Sequence, residues 1–273
     1  MSSNFRFYII FHKFLTEVSY EKLNKTYLER YCKFVNVNSA IKDKHIPLQL
    51  KHLTFEERNL PNYNPFMQHN RFCESSVFFH VAQNAELLLD PLDFVGFLQY
   101  DMVLEDSLFQ TIDAAIKTLE NPERILFVQF AENSRRHLDQ AIGLPGWQMV
   151  LDLYNRTFRT AHVLETVLQA NIPLYHSYMM SKPIFKRMMK FAEKSIPLVF
   201  EMLGCDTRHL PYHIERAHGI FLILQTLEGH LDRWIQMPGI DHRDGLKDPW
   251  QNTNEIENAK SSSVVSTTSA NAF

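Results

Sequence analysis

Glycine is scarce in this chain, with 8 in 273 residues, and neither GxGxxG nor GxxxxGK[ST] occurs. That excludes the glycine-rich loops that cradle phosphates in dinucleotide-binding and P-loop enzymes. Cysteine is scarcer still: Cys32, Cys73 and Cys205 are widely separated, with no CxxC pair. There is no disulfide framework to staple a small secreted domain, which suits a reducing compartment. Long apolar runs are missing too. The N-terminal stretch FRFYIIFHKFL is broken by Arg6, His12 and Lys13 and has no small-residue cleavage site. No segment reaches the roughly 18 uninterrupted apolar residues of a membrane span, so the expectation is a cytoplasmic protein without a transmembrane segment. Net charge is only −3, with histidines counted as neutral. No broad basic field is available to recruit nucleic acid, and any bound phosphate must be held locally.

What is present is an ordinary globular mixture, 45% hydrophobic and 22% charged, with 21 phenylalanines and 10 tyrosines. The length allows one large domain with a substantial core. FRFYIIF (5–11) is a nearly continuous apolar run, as expected of a strand covered on both faces. A helix near 18–30 and a strand over 33–38 follow. The segment 39–69, with Pro47, Pro61 and Pro65, reads as an extended connection with little regular structure. From Asn70, apolar positions at 72, 78, 79, 82, 85 and 89 fit a helix capped by Asn70. FVGFLQY (94–100) is a strand, and Asp106 is expected to cap the next helix, which ends at Asn121-Pro122. A strand over 124–130, helix in two pieces over 145–170, and extended chain over 172–180 come next. A helix then runs from Pro183 to Leu203 through Pro197, and a last one covers about 212–229. Alternating strands and helices predict an α/β layered sheet. After Asp248 the chain turns to Ser, Thr and Asn, which predicts a disordered tail over 251–273 behind a single domain, 1–250.

In FVGFLQYDMVLED (94–106) the apolar run delivers Gln99, Tyr100 and Asp101 at a strand's carboxyl end, where open α/β sheets keep their binding crevices. HNRFCESSVFFHVAQN followed by DFVGFLQYDM resembles the capsular-polysaccharide-type glycosyltransferases, which share a pattern like N-x-x-[FY]-x-E, a helix, then D-x-[VI]-G-[FL]-x-[HQ]-Y. The matched residues are Asn70, Phe72, Glu74, Asp93, Val95, Gly96, Gln99 and Tyr100. IIFHKF, with His12 and Lys13, is similar to that family's first strand, and the YHSYMMSKPIFKRMMKF region looks like its later strand and helix. The QYDM form is similar to versions in glycan-building enzymes of bacteria and large DNA viruses such as chloroviruses.

The resemblance implies a GT-A-like (Rossmann-like) layered sheet with helices on both faces. It further implies a hexosyl- or pentosyltransferase that uses a nucleotide sugar. A UDP sugar is favoured, with UDP-xylose among the candidates, and the acceptor would be a glycan hydroxyl in polysaccharide biosynthesis. His12, Lys13, Asn70, Arg71, Glu74, Gln99 and Tyr100 would then edge the donor pocket. Many members carry HYRR where this chain has Gln99-Tyr100-Asp101-Met102. Acid in place of arginine suggests that Mn²⁺ or Mg²⁺, held by Asp101, takes over from a cationic side chain, since hard cations favour carboxylate oxygens. Glu74 fits a sugar contact and a helix-start acid equally well.

RHLPYHIERAHGIF (208–221) gathers His213, Glu215, Arg216 and His218. Inverting transferases place an acidic base in such a position, so Glu215 is the candidate base; an acid favoured by a helix N-terminus is the other reading. The spacing HxExxH is not HExxH, which excludes zincin chemistry. His176, Tyr178 and His218 are candidates for the acceptor pocket. In PGIDHRDGLKDPW, Asp241, His242 and Arg243 offer a further ligand, with His242 the candidate for the metal. A non-catalytic sugar- or nucleotide-binding scaffold, and a metal-dependent hydrolase, remain alternatives, and the oligomeric state is open.

Overall fold

The computed structural model describes residues 4–12, 15, 19–37, 46–67, 72–139, 142–204 and 208–242, with the backbone alone at 241 and 242. Lys13, Asn70, Arg71, Arg243 and the expected tail lie outside the described residues. The chain divides into a compact body, Met1–Asp241, and a C-terminal unit, His242–Phe273.

Strand β1 (Phe5–Phe11) is followed by helix α1 (Lys25–Tyr31) and β2 (Cys32–Asn36). A 3-10 segment (Leu48–Leu53) leads into β3 (Thr54–Glu56). Helices α2 (Ser75–Gln83) and α3 (Ala85–Leu88) precede β4 (Phe94–Gln99), β5 (Met102–Leu104) and α4 (Asp106–Thr118). Next come β6 (Ile125–Val128), β7 (Ala131–Asn133), α5 (Ser134–Leu138), α6 (Gly143–Phe158) and α7 (Leu164–Leu168). The chain continues through β8 (Asn171–Pro173), β9 (Tyr178–Ser181), α8 (Lys182–Met202), α9 (Leu210–Leu227), β10 (Arg233–Gln236) and β11 (Ile240–His242).

The main sheet has seven strands in the order β10-β6-β9-β4-β1-β2-β3. Strands β3, β2, β1 and β4 run parallel, β9 is antiparallel to both β4 and β6, and β10 is parallel to β6. The expected α/β layered sheet is therefore present. Its continuous apolar strands follow from two cores, one on each face. Tyr8, Ile10, Val95, Phe97, Leu126, Tyr178 and Met180 pack with residues of α2, α6, α8 and α9. Phe5, Phe7, Ile9, Phe94, Leu98, Phe127 and Met179 pack with residues of α1 and α4. Gly96 sits in a row with Phe7 and Met179. A Cβ there would lie 2.4 Å from the Phe7 ring, so only glycine admits that ring.

Several expectations are corrected. The 39–69 connection contributes an edge strand, β3, which pairing with β2 holds in place. The helix expected near 18–30 is confined to α1, and 172–180 is two strands in different sheets rather than one extended piece. Glu105, not Asp106, occupies the cap position of α4. The Asp106 carboxylate instead accepts the Asn24 N–H at 2.7 Å, which ties α4 to the start of α1. No helix among the described residues is long and apolar enough to cross a membrane.

Candidate active site

The parallel strands β1, β2, β3 and β4 end on one edge of the sheet, and β9, running the other way, begins there opposite Phe97 and Val128. Side chains that follow β1, β4 and β6 and precede β9 are therefore brought to the same edge. His12 follows β1, and its ring meets Tyr100 edge-on at 5.2 Å. Tyr100 and Asp101 form the two-residue turn between β4 and β5, and the Tyr100 N–H is held by Ile10 O at 3.1 Å. Gln99, the last residue of β4, is half-buried opposite Ile10. Beneath the turn, the buried Tyr20 hydroxyl donates to Tyr100 O at 3.5 Å. Burial first, then Cys32 and the Asp101 carboxylate, push its phenol well above the ordinary range.

Two further carboxyl groups share this environment. Glu74 precedes α2 in the cap position, yet its side chain makes no capping bond. Burial raises its carboxyl above the ordinary range, its own backbone N–H opposes that, and the charge of Asp101 adds to it. Glu215 lies in the second turn of α9 rather than at the helix start, with its side chain 12% exposed. Burial pushes it up from 4.5 to about 7; Arg216 and the Tyr175 N–H pull down, and Glu74 pushes up. Asp101 thus acts on Glu74, and Glu74 on Glu215, so the turn after β4, the start of α2 and the second turn of α9 form a chain of neighbouring acids.

Gly219 explains how α9 comes so close. A Cβ on it would stand 2.4 Å from Ile172 and 3.0 Å from Pro173 O, so the helix backbone lies directly against β8. Glu215, one helical turn earlier, thereby reaches the connection after β8 and accepts the Tyr175 N–H. Arg216 is fixed by Tyr212 O at 2.8 Å and His137 O at 2.9 Å, with its guanidinium 3.9 Å from Glu215. Glu132, another acid near this network, accepts from His137 at 2.6 Å and sits 3.6 Å from Arg136, so its charge is already compensated.

His176, Tyr178 and His218 do not line an open pocket. All three are buried, and with Phe78 they make an aromatic cluster with ring centroids 4.8 to 6.3 Å apart. Tyr178 OH lies 3.3 Å from His218 Nδ1. Burial holds both imidazoles neutral, His218 at about 3 and His176 well below its usual range. His176 sits in a turn before the strand, with φ 48°, and its ring is buried beside that of Tyr178. Of the three, Tyr178 lies within the field of Glu215. Nothing in the local pattern of Tyr20 or Tyr175 marks them as site residues, since tertiary packing alone brings them here, whereas Arg216 is already in sequence beside Glu215.

Asp101 and Glu74 offer hard oxygen ligands, the type that Mn²⁺ or Mg²⁺ takes. Among the described residues no group of three His, Cys, Asp or Glu could hold a metal ion alone. This donor set fits a cation that takes one or two protein carboxylates and completes its shell with substrate phosphates and water. His242 belongs to β11, and its side chain lies outside the description.

No protein-family model matches the chain, and no curated protein matches it. Among solved structures it is similar to the apo structure of WbbM, a bifunctional glycosyltransferase. The TM-score is 0.59 at 14% sequence identity, over 89% of this chain and 46% of that one. The chain shares its fold with part of that protein and spans less than half of its length.

Proposed function

We propose that the chain is an inverting glycosyltransferase that moves a sugar from a nucleotide-sugar donor, a UDP sugar, to a hydroxyl of a glycan acceptor. The observation that carries this reading is Glu215: a buried carboxyl group raised to about 7, within the field of Glu74 and held by the turn that precedes β9, in a fold similar to that of a glycosyltransferase. A general base works best with a pKa near the operating pH, within reach of the proton it takes.

Glu215 accepts the acceptor hydroxyl proton as that oxygen bonds to the anomeric carbon. The bond from the anomeric carbon to the diphosphate oxygen breaks in the same displacement, and the nucleoside diphosphate leaves with the electron pair. Arg216 and the Tyr175 N–H orient the Glu215 carboxylate and keep its pKa from rising further. Asp101, with Glu74 beside it, would hold Mn²⁺ or Mg²⁺ at the diphosphate. When bound, the ion supplies stabilisation of the charge that develops on the departing phosphates. His12 and Tyr100 wall the donor side.

A thermal-shift screen of nucleotide sugars with and without Mn²⁺, followed by a transfer and hydrolysis assay, tests this. A donor at about 100 times its Kd stabilises by about 2.7 kcal/mol, which at this chain length raises Tm by roughly 5–10 °C. Absence of both stabilisation and turnover across the panel would remove the reading. Binding without turnover would leave a scaffold.

A further inference from the structure

The connection between β8 and β9 is built as no simple turn requires. Tyr175 and His176 are consecutive non-glycine residues in the left-handed region, at φ 59° and 48°. Such backbone is disfavoured for residues that carry a Cβ, and it persists where surrounding contacts enforce it, most often at ligand sites. The contacts are present: the Leu174 N–H donates to Phe130 O at 3.2 Å, and Ser177 O accepts the Gln129 N–H at 3.0 Å. The turn is thus fastened to the connection that follows β6, and it sends two rings in opposite directions. His176 goes inward, 3% exposed, while Tyr175 stands outward at 41%. The outward ring has a backing, with the Phe130 ring 5.2 Å away and tilted by 50°. The backbone N–H of that same residue donates to Glu215.

We infer that Tyr175, backed by Phe130, is a platform on which a pyranose ring of the acceptor lies, its hydroxyl presented to Glu215; this rests on the glycosyl-transfer reading. A pyranose has one face of C–H bonds polarised by neighbouring oxygens, and an aromatic ring presents a negative face to them. Tyrosine gives a wide, rigid contact at little conformational-entropy cost. Because the ring and the N–H that holds the base belong to one residue, stacking the sugar also fixes its height above the carboxylate. The acceptor is therefore a carbohydrate recognised by its apolar face, and glycine, which the backbone alone would favour at this φ, could not serve.

Saturation-transfer NMR tests this with methyl β-D-glucopyranoside, methyl β-D-galactopyranoside, methyl α-D-mannopyranoside and methyl β-D-xylopyranoside. The proteins are wild type, Tyr175→Phe, Tyr175→Ala and Tyr175→Gly. Wild type and Tyr175→Phe should saturate the C–H face of at least one pyranoside. Tyr175→Ala and Tyr175→Gly should bind it about tenfold more weakly, the loss of one aromatic contact. Tyr175→Gly relieves the left-handed backbone, so it guards against a loss that comes from misfolding. No transfer to any pyranoside in wild type, or unchanged binding in the alanine and glycine variants, would overturn the platform. Nucleotide-sugar binding and turnover by wild type are measured separately: the absence of both would fell the glycosyl-transfer reading, while the NMR result still decides the platform.

Discussion

Replacing Glu215 with glutamine should make the protein more stable above neutral pH while it makes the enzyme slower. The carboxyl has an ordinary value of 4.5 when unfolded and about 7 when folded. Between those values the folded state holds the proton more tightly, so the stability present below pH 4.5 is lost as pH rises through 7. The difference corresponds to about 3 kcal/mol at pH 8, at about 1.4 kcal/mol for each pH unit. Near pH 5 it shrinks to under about 1 kcal/mol. The side chain is 12% exposed, so solvent screens little of this. Glutamine keeps the shape and an oxygen to accept the Tyr175 N–H, but it is neutral at every pH. The charged and polar groups that act on Glu215 are Arg216 on its own helix, the Tyr175 N–H from the β8–β9 turn, and Glu74 from the start of α2, with the neutral Tyr178 within its field. At this chain length, Glu215→Gln should raise Tm by about 6–12 °C at pH 8, and by much less at pH 5. Thermal unfolding by circular dichroism in EDTA reads both values without a metal contribution. Turnover should fall by at least about a hundredfold, as for loss of a general base. A Tm difference that is the same at both pH values, or a less stable variant at pH 8 with near-normal turnover, would refute the reasoning and return Glu215 to a structural role.

Two further predictions concern the geometry around that group. Asp101→Asn should keep the fold but sharply weaken UDP binding in the presence of Mn²⁺; calorimetric titration in which affinity and metal dependence both survive would leave Asp101 a turn residue between β4 and β5. Gly219→Ala forces α9 away from Ile172 and Pro173. It should cost about 1–3 kcal/mol by overpacking and also lower kcat by displacing Glu215. Urea unfolding beside steady-state kinetics checks this, and an unchanged kcat would show that Glu215 does not depend on the close approach of α9 to β8.

The local pattern of this chain determined the elements whose side chains have one answer wherever they are. The runs 5–11, 94–99 and 125–128 are apolar at almost every position, so they can only be strands covered twice, and the strand–helix alternation then requires a layered sheet. The delivery of Asp101 at the end of such a run was legible for the same reason. The short strands β3, β5, β7, β10 and β11 were not, because Thr54–Glu56 or Arg233–Gln236 carry no period of their own and exist through pairing with a neighbour. The site was legible residue by residue but not as a place. That Glu215 comes within the field of Glu74 and reaches the Tyr175 N–H depends on α9 lying against β8 at Gly219. That His176 goes inside while Tyr175 faces out depends on two left-handed residues. Both are products of long-range packing: contacts between distant segments outweigh the local preference of the backbone, and burial among those contacts, not residue type, sets the pKa of the carboxyl.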